Sequence, residues 1–291
     1  MTGRTAVVTI AHGRHEHLAG LMWGLRRQVR SPDVFVAVAM DDPGVLAVVE
    51  GGAPPAPQVA VPSVPSCAEG LPLAAARNAG ARAAVAAGAD TLIFLDVDCI
   101  PSPGLVQRYD EVLAPACPSP RPAVAGPVVA AGEVAYLPAV NHPRDYRAAD
   151  LAALARPHPA RPALRAGEVR SADDLRLFWS LSFGIGAADW QRLGGFDEGY
   201  VGYGAEDTDF GQRLGAAGGR LLWVGGAAAY HQHHPSSDPP VHHLDSIVAN
   251  ANRFHRRWGW FPMEGWLARF AALGLADQDP DTGQWRALHR V

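Results

Sequence analysis

Five mostly apolar residues, Thr91-Leu92-Ile93-Phe94-Leu95, end abruptly in two carboxylates, Asp96 and Asp98. A short apolar run with polar borders reads as a strand buried on both faces, and such strands belong to parallel sheets covered by helices. Neighbouring strand residues point opposite ways, so a strand continued through Val97 puts Asp96 and Asp98 on one side. The carboxyl ends of strands are where open α/β sheets bind ligands. Paired carboxylates there suit a hard divalent cation beside a phosphate.

The pattern around this strand repeats the same theme. Strands are expected at 6–10, 34–40 and 58–61, and helices at 15–29, 73–87 and 103–113. That alternation indicates a mostly parallel central sheet with helices on both faces. Residues 114–177 lose periodicity and crowd prolines and arginines, reading as a long loop with short helices and one further strand at 124–129. Loops this long in compact domains often serve as lids or binding elements. Order resumes with a strand at 178–183, helices at 187–193 and 207–217, a strand at 221–224, and terminal helices at 244–258 and 264–273.

Size and charge narrow the function. With 291 residues, 48% of them hydrophobic, the chain can bury a sizeable core. A net charge of −4 argues against non-specific nucleic-acid binding. Cys67, Cys99 and Cys117 lack CxxC spacing and fit reduced thiols. The first residues run straight into a strand-like segment without a signal-peptide pattern, and no apolar stretch is long enough to span a bilayer. The expected location is cytoplasmic, at most peripheral to a membrane.

Several polar constellations then stand out. The loop after the first strand, Thr9-Ile10-Ala11-His12-Gly13-Arg14, offers backbone groups and the Arg14 guanidinium to a nucleotide. Asp41-Asp42 ends the next strand, where it can meet a base or ribose or simply form a turn. Arg77 and Asn78 are the large polar groups of an alanine-rich helix; arginine supplies a fixed fork of donors and asparagine a donor and an acceptor. A second acidic cluster, Glu206-Asp207-Thr208-Asp209, opens a helical pattern. Its carboxylates serve either as catalytic acid–base groups or as favourable charges at a helix N-terminus. Tyr230-His231-Gln232-His233-His234 follows, with imidazoles able to bind a metal.

Taken in order, these segments resemble the nucleotide-diphospho-sugar glycosyltransferases of the GT-A fold, a Rossmann-like α/β architecture. The resemblance runs through the Thr9–Arg14 strand end, Asp41-Asp42, Ala76-Arg77-Asn78-Ala79-Gly80 and Leu95-Asp96-Val97-Asp98. It continues through Gly194-Gly195-Phe196-Asp197-Glu198 and Gly202-Tyr203-Gly204-Ala205-Glu206-Asp207-Thr208-Asp209-Phe210, which resemble a family-two and galactosyltransferase-type acceptor motif. It implies one GT-A domain, with a nucleotide-sugar half at 1–130, an acceptor and catalytic half at 131–243, and terminal helices at 244–291.

The resemblance also implies roles. Asp98 would bind Mn²⁺ or Mg²⁺, completed by His231, with His234 a neighbouring candidate. Asp96 and Val97, with Thr9, Ala11 and Arg14, would line the donor site. Asp41 would recognise the base, helped by Arg77. Asp207 would act as catalytic base, and Glu206 would orient acceptor hydroxyls or share that role. The implied reaction moves a hexose from a nucleotide diphosphate, UDP for preference, to a hydroxyl of a small molecule, glycan or lipid-linked acceptor, with inversion. Retention is a variant of the same reading. Two other functions compete: a nucleotidyltransferase, whose glycine-rich signature the Ala11-His12-Gly13-Arg14 loop does not match, and a non-catalytic nucleotide-sugar-binding module.

Overall fold

The computed structural model describes residues 3–114, 126–158 and 161–288. Cys117 and the first residues of the strand expected at 124–129 lie outside them.

The N-terminal half follows the alternation read from sequence. Its elements are β1 (Thr5–Ala11), α1 (His15–Leu25), β2 (Val34–Met40), α2 (Gly44–Glu50), β3 (Gln58–Ala60), β4 (Ser63–Val64), α3 (Leu73–Ala86) and β5 (Thr91–Leu95). After them come β6 (Cys99–Pro101), α4 (Leu105–Leu113), β7 (Val128–Tyr136), α5 (Leu151–Leu154), β8 (Arg156–Pro157) and β9 (Val169–Ser171). The remainder is β10 (Ser182–Gly186), α6 (Ala187–Leu193), α7 (Glu206–Ala216), β11 (Arg220–His231), α8 (Leu244–Trp258), α9 (Glu264–Ala272) and the hairpin β12 (Ala276–Gln278) and β13 (Trp285–Ala287).

The main sheet runs β3-β2-β1-β5-β10-β7-β11-β6. Its first part is parallel, β1 lying between β2 and β5. Beyond β5 the directions mix: β10 is antiparallel to both neighbours, β7 and β11 are parallel, and β6 is antiparallel to β11. The parallel part therefore extends only as far as the strand–helix–strand units do. β6 follows β5 through a tight turn with no crossover helix, so the chain enters a different part of the sheet.

Alternate strand residues feed two cores. Val7, Phe35 and Ile93 pack on one face with α1, α2 and α4. Ala6, Val8, Val36, Leu92 and Phe94 pack on the other with α3, α6 and α7. The terminal tryptophans are packing residues, as their apolar neighbours suggest. Trp258 and Trp260 lie against Phe254 and Tyr200, and Trp266 against the Leu244–Phe270 cluster.

One element differs in a way that builds the site. The strand expected to stop at Val224 runs on to His231, with an irregularity between Val224 and Ala229. Gly225-Gly226 falls in the bulge that lets the strand bend and continue. The extension pairs Tyr230 with Ile100 and His231 with Cys99, placing the histidines beside Asp98.

Candidate active site

Asp96-Val97-Asp98 is a turn, not a continued strand. The Cys99 amide donates to the Asp96 carbonyl at 2.9 Å, and the Gln232 amide donates to the Asp98 carbonyl at 2.7 Å. The expectation that strand alternation aligns the two carboxylates is therefore corrected. The turn assigns them different partners, one towards α3 and one towards the end of β11.

Asp98 faces imidazoles. Its Oδ2 lies 3.4 Å from His234 Nε2. One donor atom each from Asp98, His231 and His234 lie within 4.8 Å of one another. Burial alone would raise the Asp98 carboxyl, but the His234 hydrogen bond and the Arg14 charge carry it below its ordinary value. The same hydrogen bond raises His234, while burial lowers His231. Asp98 Oδ1 and His231 Nδ1 are buried without a hydrogen-bond partner among the described residues. Orphaned polar atoms of this kind call for an explanation. A carboxylate and neutral imidazoles together form a donor set for a borderline divalent cation, so these residues fit the implied metal.

The residues assigned to the nucleotide divide. Arg14 belongs to the cation side, where its charge acts on both Asp98 and His234. Asp41 is exposed at the end of β2, accepts from Ser66 Oγ at 2.7 Å, and has φ of 50°. A non-glycine residue held at positive φ marks local strain of the kind found at binding sites. Asp42 is instead structural: it accepts from the amides of Gly13 and Gly44 and pairs with His15. Thr9 and Ala11 were expected to offer backbone groups. Each residue is 1% exposed within β1, so only backbone there could reach a ligand. Val97 is also buried and sits at the centre of the turn.

Arg77 forms the bridge to the acidic cluster. It is 6% exposed, reaching Asp96 at 3.2 Å and Glu206 at 3.3 Å. A guanidinium so buried is not a free donor for a base edge; its fork joins two carboxylates of the site. Burial pushes Asp96 up to about 6 and Glu206 up to about 7, with the Asp207 charge adding to each and Arg77 opposing. Asn78 is likewise diverted: it accepts from the Phe196 amide and donates to the Phe196 carbonyl and to Glu198. The Arg-Asn pair thus clamps α3 to the Gly-Gly-Phe-Asp turn.

The acidic cluster splits as well. Asp207 Oδ2 accepts from the Ser180 amide at 3.0 Å, while its Oδ1 is buried without a partner among the described residues. Asp207 is thus held from another segment rather than spent on capping α7. Ala205, just before, has φ of 73°, a strained conformation for a residue with a side chain. Asp209 is fully buried and structural, bound by Arg213, Arg257 and Trp258. Arg253 and Arg257 of α8 pair with Asp197.

A strip of rings lies between the two clusters. Tyr136 lies 5.0 Å from His231 and 5.6 Å from His158, and His158 lies 4.8 Å edge-on to Trp179, next to Ser180. Arg161, buried over Trp179 and Trp223, ties this segment to β7 through the Gly132 carbonyl. No spacing signalled Tyr136, His158 or Arg161, because they come from the aperiodic 130–177 stretch.

Residues 172–235 match the family described as the N-terminal domain of galactosyltransferase, which encloses the acidic cluster and His231. Two curated relatives, both validoxylamine A glucosyltransferases, come from Streptomyces hygroscopicus subsp. limoneus and subsp. jinggangensis. The first is 29% identical over 87% of this chain and 56% of its own length. The second is 32% identical over 65% and 45%. The chain thus spans about half the length of the curated relatives it matches. Among solved structures, Staphylococcus aureus TarS 1–349 in complex with UDP aligns with a TM-score of 0.58 at 12% identity, over 91% of this chain and 75% of that one. GalNAc-T7 with UDP, GalNAc and Mn²⁺ aligns at 0.51 and 16%, over 93% and 57%. These findings bear out the resemblance to GT-A nucleotide-sugar glycosyltransferases. No helix among the described residues is long and apolar enough to cross a membrane.

Proposed function

We propose that this chain, as one GT-A domain, transfers a hexose from a UDP-linked donor to a hydroxyl acceptor by cation-assisted single displacement with inversion. The observation that carries the reading is Asp207, with one oxygen fixed by the Ser180 amide and the other buried and unengaged. A carboxylate held in that way is preorganised to accept a proton. Its charge reaches Asp96, which also feels Asp98, so donor and acceptor groups share one electrostatic neighbourhood.

Asp98, His231 and His234 would hold a divalent cation, which would supply Lewis-acid charge for a diphosphate leaving group. The chain's own residues do the rest. Asp207 Oδ1 takes the acceptor hydroxyl proton as that oxygen bonds to the anomeric carbon. The bond from the anomeric carbon to the phosphate oxygen breaks, and its electron pair leaves with UDP. Glu206, steered by Arg77, orients the acceptor hydroxyls. Asp96 meets the ribose, and exposed Asp41 meets the base. Imidazole donors favour Mn²⁺ over Mg²⁺. The relatives' name points to glucose as the hexose and to validoxylamine A as an acceptor to test. We place the reaction in the cytoplasm, consistent with cysteines of which Cys99 is a buried thiol and Cys67 a free exposed one.

The test is a panel of nucleotide sugars incubated with Mn²⁺, with and without validoxylamine A, and analysed for products by mass spectrometry. Release of UDP from one UDP-hexose, with anomeric inversion by NMR in any glycosylated product, is the expected result. Nucleotidyl transfer, or no turnover of any nucleotide sugar, would overturn the reading.

A further inference from the structure

His17 stands in the first turns of α1, far in sequence from the histidine cluster. Its Nε2 lies 3.9 Å from Asp98 Oδ1, the oxygen that otherwise has no hydrogen-bond partner among the described residues. The His17 side chain is 13% exposed, and its ring meets the His234 ring edge-on at 6.2 Å. On a helix, residues 17, 20 and 24 share a face. Gly20 and Gly24 occupy that face, and they let α1 press against the far end of the sheet. A Cβ on Gly20 would stand 2.5 Å from Gln232 Oε1, and one on Gly24 would stand 2.7 Å from Pro101 Cδ. Gln232, itself fully buried, donates to the His17 carbonyl at 3.0 Å. The close approach of α1 thus aims His17 at Asp98.

We propose that His17 is a ligand of the divalent cation, making the site one carboxylate and three imidazoles, His17, His231 and His234. The inference rests on the cation role of Asp98 proposed above. A spacing of 3.9 Å is below twice a metal–nitrogen bond of ~2.1 Å, so one ion can touch both Asp98 Oδ1 and His17 Nε2; His17 is not in the 4.8 Å group of Asp98, His231 and His234, so its ring must shift inward to share their ion. The 3.4 Å spacing of Asp98 Oδ2 and His234 Nε2 satisfies the same condition. His17 Nε2 also lies 3.4 Å from the His233 carbonyl, a weak contact. On loading, the ring keeps its proton on Nδ1 and presents the Nε2 lone pair to the ion. Such a nitrogen-rich set discriminates against Mg²⁺, which prefers oxygen, and favours Mn²⁺ and the later first-row ions.

The test uses the full chain, stripped of metal and titrated with Mn²⁺ while free ion is followed by electron paramagnetic resonance. The wild type is expected to bind Mn²⁺ and to release little of it to millimolar Mg²⁺. His17→Ala should weaken Mn²⁺ binding by at least ~10-fold and narrow the preference over Mg²⁺. Electron spin echo modulation should lose the signal of one directly bound imidazole nitrogen. His17→Gln, of similar reach, supplies the same reading if the alanine variant is unfolded by circular dichroism. Unchanged Mn²⁺ affinity and an unchanged nitrogen count in either folded variant overturn the inference. Donor turnover with His17 dispensable would leave the proposed function standing and remove only this ligand. Tight Mn²⁺ binding lost in His17→Ala, without turnover of any nucleotide sugar, would do the reverse.

Discussion

The Asp98 cluster and the Asp207 cluster are built from the same acidic residue types, yet their surroundings push them in opposite directions. At Asp98, the hydrogen bond from His234 and the charge of Arg14 outweigh burial, so the carboxylate stays ionised below its usual range. At Glu206, burial and the charge of Asp207 outweigh Arg77, so the carboxyl holds its proton up to about 7. One cluster is suited to gripping positive charge, the other to exchanging protons near neutrality. What separates them is the company each acid keeps: imidazoles and a half-buried arginine on one side, a second acid and one buried guanidinium on the other.

The comparison can be broken most forcefully at its two poles. Asp98→Ala should reduce Mn²⁺-dependent donor hydrolysis by at least ~100-fold, read as UDP release. Activity within a few-fold of wild type would remove the cation role. Asp207→Asn should lower turnover by ~10²–10⁴-fold while UDP affinity by calorimetry stays within about twofold. Equal loss of both would mean that Asp207 serves donor binding.

The link between the poles is a stability question. Arg77→Met leaves Asp96 and Glu206 without their shared cation in a buried site. Urea unfolding should register a loss of ~3–5 kcal/mol, the usual cost of removing one partner of a buried ion pair. A loss below ~1 kcal/mol would show the strut to be dispensable.

The smallest effect concerns pH. The ordinary Glu206 value of 4.5 is raised to about 7 in the folded chain, so the native state binds that proton more tightly. Stability from this group is full below about 4.5 and drains away as pH rises to about 7, an effect on the order of 1–3 kcal/mol. Glu206→Gln should flatten the melting temperature across that window. An identical pH profile in wild type and variant would show that Glu206 does not carry the difference.

Sequence made some parts of this molecule legible and hid others. The β1, β2 and β5 strands and α3 were readable because apolar runs and alanine-rich turns are local signals with a fixed period. Asp98, Glu206 and Asp207 were readable because they stand in short acidic motifs at a strand end and a helix start, where α/β folds bind ligands. His17 was not, since a lone histidine in a helix looks like any other. Arg77 was visible as an oddity, but its partners, Asp96 and Glu206, come from two other segments. Tyr136 and His158 lay in a stretch without periodicity and meet Trp179 only through packing.

By itself, then, the sequence determined the parallel strands β1, β2 and β5 and which acids stand at the ends of β2 and β5, because backbone period and side-chain chemistry act within a few residues. Tertiary structure alone decided that Asp96 and Asp98 part company at a turn. It also decided that a bulged β11 carries His231 alongside Cys99, and that two glycines bring α1 close enough to present His17. Those outcomes depend on register, close packing and the burial of charge, which arise only when distant segments exclude water together.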